Sequence, residues 1–349
     1  MKFLKRFATI LAITAFVLPV YAEQLPPAKE GTFSIAIISD TQHYTGKGTG
    51  RKTQTQSPTA NPFFESITDC IIKEKDRQRI VFVSHVGDIV DINNDEQWAV
   101  AWRCMNKLHG KVPYGISVGN HDMITKNGDS SLFQKYFPKS RFTQFDWYGG
   151  CYEPLMGETK ISGNNANSFQ LFSASGMDFI IVHLECNAPD PVLAWADQIL
   201  EQYSNRRAMV TTHMDLGPLN RPQNSRDYFD APKGRMTWKK CHGAQGNTSQ
   251  QMWEKCFRKH KNLFLICCGD QSRTQALHQT VKGAQDNPVH ELLSDYGVHG
   301  FRLMRFIPNQ NRIEVRTWNP VTQKLCEKTK IVPNRDRHQF TLEYSMTSN

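Results

Sequence analysis

Five short stretches of the sequence hold the side chains that could do chemistry. They are Asp40 with Gln42 in SDTQH, Asp88 with Asp91 in VGDIVD, and Asn120-His121-Asp122 in VGNHD. His213 with Asp215 in TTHMD and Asp270 with Ser272 in CCGDQS complete the set. Carboxylate, amide and imidazole are the oxygen and nitrogen donors that Zn, Mn or Fe ions accept, and no thiolate motif competes with them. Alone, none of the five marks a site. A strand-end aspartate caps a helix or turn as readily as it binds metal, and a lone histidine is commonly a hydrogen-bonded, partly buried residue. Jointly they carry more, because each follows an apolar run.

Those runs read as strands alternating with helices. FSIAIISD (33–40), RIVFVSHVGD (79–88), VPYGISVGNHD (112–122), RRAMVTTHMD (206–215) and NLFLICCGD (262–270) are expected strands. Helices are expected at about 63–75, 94–108, 191–203 and 249–260. NSFQLFSA (167–174) and MDFIIVHLE (177–185) look antiparallel, and residues 300–320 alternate like a strand pair. Residues 45–62, 123–165 and 217–250 read as loops. Polar residues gathered at the carboxyl ends of apolar strands lie where open α/β sheets bind ligands, and the later antiparallel strands imply a second sheet packed on the first.

At these positions the chain resembles the calcineurin-like metallophosphoesterases. Their motifs are Asp-x-His, Gly-Asp-x-x-Asp, Gly-Asn-His-Asp/Glu, a later His, and Gly-His-x-His. The Asp-Thr-Gln opening, with NNDEQW (93–98) and LAWADQIL (193–200), resembles a secreted-type branch. The resemblance implies an α/β fold of two packed mixed sheets flanked by helices (αββα). It implies two divalent or trivalent ions (Mn, Zn, Fe or Mg) roughly 3.5–4 Å apart, which would hydrolyse a phosphomonoester or phosphodiester through metal-bound hydroxide. By the same resemblance Asp88 bridges the metals, Asp40 and Gln42 hold the first, and Asn120, His213 and Asp270 hold the second. His121 would assist the leaving oxygen, with Asp122 orienting its ring. Asp270 and Ser272 replace the two histidines of the last motif. A carboxylate can ligate in place of an imidazole, whereas a protonated serine is a poor ligand, so a weak first metal is expected unless Gln271 or the 217–250 loop compensates. A degenerate, non-catalytic protein that binds a phosphorylated ligand is the alternative reading.

His85 and His183, inside strands, read as core residues rather than ligands. His43 is balanced between a phosphate contact and an exposed loop, and Lys239, Lys240 and His242 read as solvated loop charge. The first residues look like a cleavable export signal: basic Lys2, Lys5 and Arg6, then an apolar run too short for an ordinary membrane span, then Val20-Tyr21-Ala22. Residues 1–22 are therefore expected to be removed, leaving residues 23–349 as one secreted or periplasmic domain, with no stable membrane insertion. The formal charge of +9 suits anionic partners, but no dense Lys/Arg block marks a nucleic-acid track. Nine cysteines in an exported chain favour disulfides.

Overall fold

The computed structural model describes residues 25–154, 160–218, 233–235 and 240–346. The expected signal, residues 1–22, and Lys239 lie outside them. No helix among the described residues is long and apolar enough to cross a membrane.

Phe33–Ile38 (β1) is buried at every position, as a strand covered on both faces must be. Phe33, Ile35 and Ile37 enter one apolar layer, while Ala36 and Ile38 enter another. Ile80–His85 (β2) and Tyr114–Ile116 (β3) follow in parallel. The helices between these strands cover the outer face. Pro62–Glu74 (α1) starts at Asn61, whose side chain accepts the Phe64 N–H and whose amide donates to Thr41 O at 2.6 Å. The cap thus ties the helix to the loop after Asp40. The helix turns Phe64, Ile67 and Ile71 inward at i, i+3, i+7 spacing. Asp95–Asn106 (α2) is capped by Asn94 and buries Trp98, Ala101 and Met105. Burying each such large side chain is worth roughly 1.5–3 kcal/mol.

The same sheet continues on the other side of β1 with antiparallel strands: β13 (Phe301–Ile307), β14 (Arg312–Asn319), and β15 (Lys324–Leu325) and β16 (Gln339–Glu343), which both pair with β14. The second sheet has the order β11-β12-β10-β7-β6-β5-β4. Its members are β4 (Tyr148–Cys151), β5 (Ser168–Ala174), β6 (Met177–Leu184), β7 (Arg207–Thr212), β10 (Leu263–Cys268), β11 (Ala276–Lys282) and β12 (Pro288–Ser294). Strands β6, β7, β10 and β12 run parallel, and the others are antiparallel. A short ribbon pairs β8 (Leu216–Pro218) with β9 (Lys233–Arg235). Asp190–Gln202 (α4) and Ser249–Lys255 (α5) cover the outer face of the second sheet, and Ser131–Tyr136 (α3) packs against α2. Between the sheets lie Phe33, Phe82, Phe179, Phe264 and Phe306. The result is the expected arrangement of two mixed sheets flanked by helices.

Two expectations are corrected. The hairpin β11–β12 was not anticipated, since its alternating polar residues hide a strand, β12, that is buried from Val289 to Ser294. The expected disulfides are absent: all nine cysteines are described, and each is a free thiol. Most are buried as small hydrophobes, and Cys186 and Cys241 lie beside each other. Cys267 faces the layer between the sheets and Cys268 a separate small cluster. Burial pushes the Cys104 and Cys267 thiols up to about 12, which leaves them inert.

Candidate metal centre

The first three stretches lie just beyond β1, β2 and β3, and His213 and Asp270 just beyond β7 and β10. These are carboxyl ends of neighbouring parallel strands in the two sheets, and the packing of the sheets brings them face to face. Donor atoms of Asp40, Asp88 and His213 lie within 4.8 Å of one another, and all three residues are buried. His213 Nε2 is 3.1 Å from Asp88 Oδ1, 3.7 Å from Asp270 Oδ1 and 4.0 Å from Asp40 Oδ2.

Close backbone approach makes this possible. Gly87 has φ +103°, and a Cβ there would meet His213 Nδ1 at 2.7 Å. A Cβ at Gly269 would meet Asp40 Oδ1 at 2.2 Å. Asp88 and Asp270 are held at φ +50° and +69°, a left-handed conformation uncommon outside glycine, and such strain clusters at working sites.

Each ligand candidate is fixed by its own neighbours. His213 Nδ1 lies 2.9 Å from Val86 O. A carbonyl only accepts, so Nδ1 carries the proton and Nε2 faces the carboxylates. Asp88 Oδ1 accepts the His121 N–H and Oδ2 accepts from Gln42 Nε2, both at 2.8 Å. Gln42 therefore reaches the centre as a hydrogen-bond donor to Asp88, with its nitrogen rather than its oxygen facing inward. One amide atom of Asn120 lies 2.7 Å from Asp270 Oδ1. Either its nitrogen donates there, or its oxygen and the carboxylate face a shared cation. His85, expected in the core, accepts the Gly87 N–H at 3.2 Å and contacts Thr41 Oγ1 at 3.2 Å. Burial pulls its pKa down to about 3, so it holds the Gly87-Asp88 turn as a neutral ring. His183 is likewise buried, between Ser84 and Gln170.

The charges converge as the distances do. Burial and the Asp295 carboxyl push Asp40 well above the usual carboxylate range, with Asp88 and Asp270 adding to the rise. Burial would raise Asp88 too, but His213 and His121 hold it below that range. Burial lowers His213, yet Asp88, Asp40 and Asp270 together hold it well above an ordinary imidazole. Burial raises Asp270 to about 6.

Three expectations need revision. Asp122 does not orient the His121 ring: its oxygens accept the Gly119 and Val90 N–H groups at 2.8 and 3.1 Å, so it shapes the loop. The ring is instead held by Asp91, whose carbonyl oxygen lies 2.6 Å from His121 Nδ1 and whose carboxylate lies 3.8 Å away. Buried Gln97 clamps that Asp91 loop by accepting the Asp91 and Ile92 N–H groups, which explains the NNDEQW stretch. Ser272, expected to be a poor ligand, is exposed. Lys240 is not plain solvated charge, since its Nζ comes within 3.3 Å of the Asn120 amide. His242 is buried against Glu185 at 3.4 Å. Asp295, just beyond β12, is a site residue the motifs missed. It is 4% exposed, and the β10–β12 register, which pairs Cys268 with Leu293, sets it level with Asp270. Its signal was LLSD (292–295), which repeats the IISD of 37–40.

The His242–Glu185 pair anchors the segment that carries Lys240. Burial lowers the His242 pKa, but Glu185 outweighs it and the net shift is upward. A raised folded pKa adds stability that is complete below the unfolded value near 6.5 and is lost as pH rises through the folded value. The stability gap between the native chain and His242→Gln, measured by urea unfolding, is thus expected to be larger at pH 6 than at pH 9. Glu185→Ala, which strands the buried imidazole, should cost on the order of 3–5 kcal/mol at pH 6.

The donor set fits a bound metal. His213 Nε2 makes no hydrogen bond of acceptable geometry despite its carboxylate neighbours, and Asp40 Oδ1 meets no N–H or hydroxyl donor, though both atoms are fully buried. Burying such groups without a partner is costly, and a cation among them satisfies both. Residues 33–240 match the calcineurin-like phosphoesterase family. The chain belongs to the calcineurin-like phosphoesterases. That match takes in Asp40, Asp88, Asn120 and His213, while Asp270 and Asp295 lie beyond it. The family is dinuclear and metal-dependent, and Asp40, Asp88 and His213 form a candidate site for such ions here.

The chain is also similar to three individual proteins. The uncharacterized protein YvnB of Bacillus subtilis (strain 168) is 26% identical over 337 residues, covering 93% of this chain. The chain spans only 23% of the length of that relative. Purple acid phosphatase PPD1 from yellow lupin (Lupinus luteus) superposes with a TM-score of 0.53 at 14% identity, covering 91% of this chain and 55% of that one. A dimetal phosphatase from Danio rerio covers 91% of this chain and 100% of its own, with a TM-score of 0.49 and 12% identity.

Proposed function

We propose that this chain is an exported, metal-dependent phosphoric ester hydrolase acting on a phosphomonoester or phosphodiester. The observation that carries the reading is the convergence of Asp40, Asp88 and His213 on one buried point. Asp88, central to the cluster, would bridge two ions. Asp40 would serve the first, and Asn120, His213 and Asp270 the second. When bound, the ions would supply Lewis acidity toward the phosphoryl oxygens and make water a better nucleophile.

The chain's own residues do the rest. His121 is half-buried at the rim, with Nδ1 directed at Asp91 O. Its Nε2 is left to donate a proton to the departing ester oxygen. Lys240, exposed above Asn120, adds a positive charge where a phosphate oxygen would approach. Asp122 keeps the Gly119-Asn120-His121 loop in shape. A further imidazole, His43, stands near Asp91 and His299, and burial lowers both His43 and His299 below the ordinary value. They offer neutral hydrogen bonds at the mouth.

The test is turnover of bis-p-nitrophenyl phosphate and p-nitrophenyl phosphate after loading with Mn, Zn, Fe or Mg, with metal content measured alongside. Turnover requiring bound metal supports the hydrolase. Binding of a phosphate ester without hydrolysis under every metal would instead identify the non-catalytic alternative. Sequencing the mature N-terminus of the exported protein checks cleavage after Ala22.

A further inference from the structure

Seven strands run parallel within their sheets, β1, β2 and β3 in one and β6, β7, β10 and β12 in the other, and six of them end at the centre, all but β6, whose following Glu185 is paired with His242. The motifs assign a donor to the first five, namely Asp40, Asp88, Asn120, His213 and Asp270. The sixth end carries Asp295, buried and fixed by its N–H to Gln275 O at 2.9 Å. The β10–β12 register, which pairs Cys268 with Leu293, places it level with Asp270, whose N–H donates to Asp40. Buried carboxyls grouped this closely either keep protons or hold cations among them. Asp40 Oδ1, fully buried, still lacks a donor. The two side chains that should have completed the first metal's shell do not do so. Ser272 is exposed, and Gln42 turns its amide nitrogen toward Asp88.

We propose that Asp295 is a ligand of the first metal, taking the place of the histidine that Ser272 lacks, and that it makes the centre carboxylate-rich enough to favour a hard cation. Asp40, Asp88, Asp270 and Asp295 together match the charge of two dications. With one imidazole and four carboxylates the donor set suits Mn or Mg better than Zn. This rests on the two-metal reading above and replaces the expectation of a weak first site.

The experiment measures metal directly. The purified full-length mature chain is loaded with Mn, freed of excess ion by gel filtration, and assayed for Mn per chain and for the spin-coupled dimanganese signal in electron paramagnetic resonance. The native chain is expected to hold about two ions and Asp295→Asn about one, with the coupled signal replaced by that of an isolated ion. Circular dichroism checks that the variant is folded. Asp295→His provides a second variant that restores a donor: it is expected to recover the second ion and to shift preference toward Zn. Retention of two coupled ions in Asp295→Asn overturns the inference, as does a native chain that never holds two. A native chain that holds two ions, loses one in Asp295→Asn, and hydrolyses no ester would instead sink the enzymatic reading and leave Asp295 in place.

Discussion

Asp88→Asn is expected to empty the centre and to lower ester hydrolysis by at least about a thousandfold, on the order of 4 kcal/mol of transition-state stabilisation. Two effects add. The substitution removes the negative charge closest to His213, at the residue proposed to bridge the two ions. It also breaks a donor–acceptor match. Asp88 now accepts from the His121 backbone and from Gln42 with its two oxygens. Asparagine has one acceptor, so one of those donors would face an NH2 group inside a buried site. Metal content by elemental analysis should fall together with turnover. A variant that kept both ions and the native rate would refute the bridging role.

His121→Ala should behave differently, losing turnover while keeping the metals. Its ring is outside the ligand cluster and is held by Asp91, so the ions keep their shell. A positioned general acid contributes typically 10²–10⁴-fold. The loss should depend on the leaving group. A p-nitrophenolate departs with little help, whereas an alkoxide needs a proton. The variant is therefore expected to lose far more activity on an alkyl phosphate than on p-nitrophenyl phosphate. Equal losses on both would argue that His121 only shapes the loop.

What could be read in the sequence divides along a physical line. Strands buried on both faces, such as FSIAIISD, give continuous apolar runs, and the polar residues at their ends stand out against them. That is why Asp40, Asp88, His213 and Asp270 could be found. Strand lengths were overestimated, because the residues between the last paired position and the site are turns: β2 stops at His85 and β3 at Ile116. Asp295 was missed because β12 contains His290 and Glu291. These polar residues interrupt the apolar run, although both are buried. The role of Asp122 could not be read either. Adjacency to His121 along the chain suggested contact, but neighbouring side chains in a tight turn diverge, and this one turns inward to Gly119 and Val90. The partner that holds the imidazole, Asp91, comes from a different strand end.

The Asp270 N–H donates to the Asp40 carboxylate across 230 positions of chain. A contact so remote in sequence forms after both halves of the molecule have found their own partners, because closing so long a loop early is entropically expensive. Interactions made that late slow escape from the folded state far more than they hasten its formation. An ion clasped at that seam would therefore act chiefly as a latch, lengthening the lifetime of the finished molecule rather than guiding its assembly.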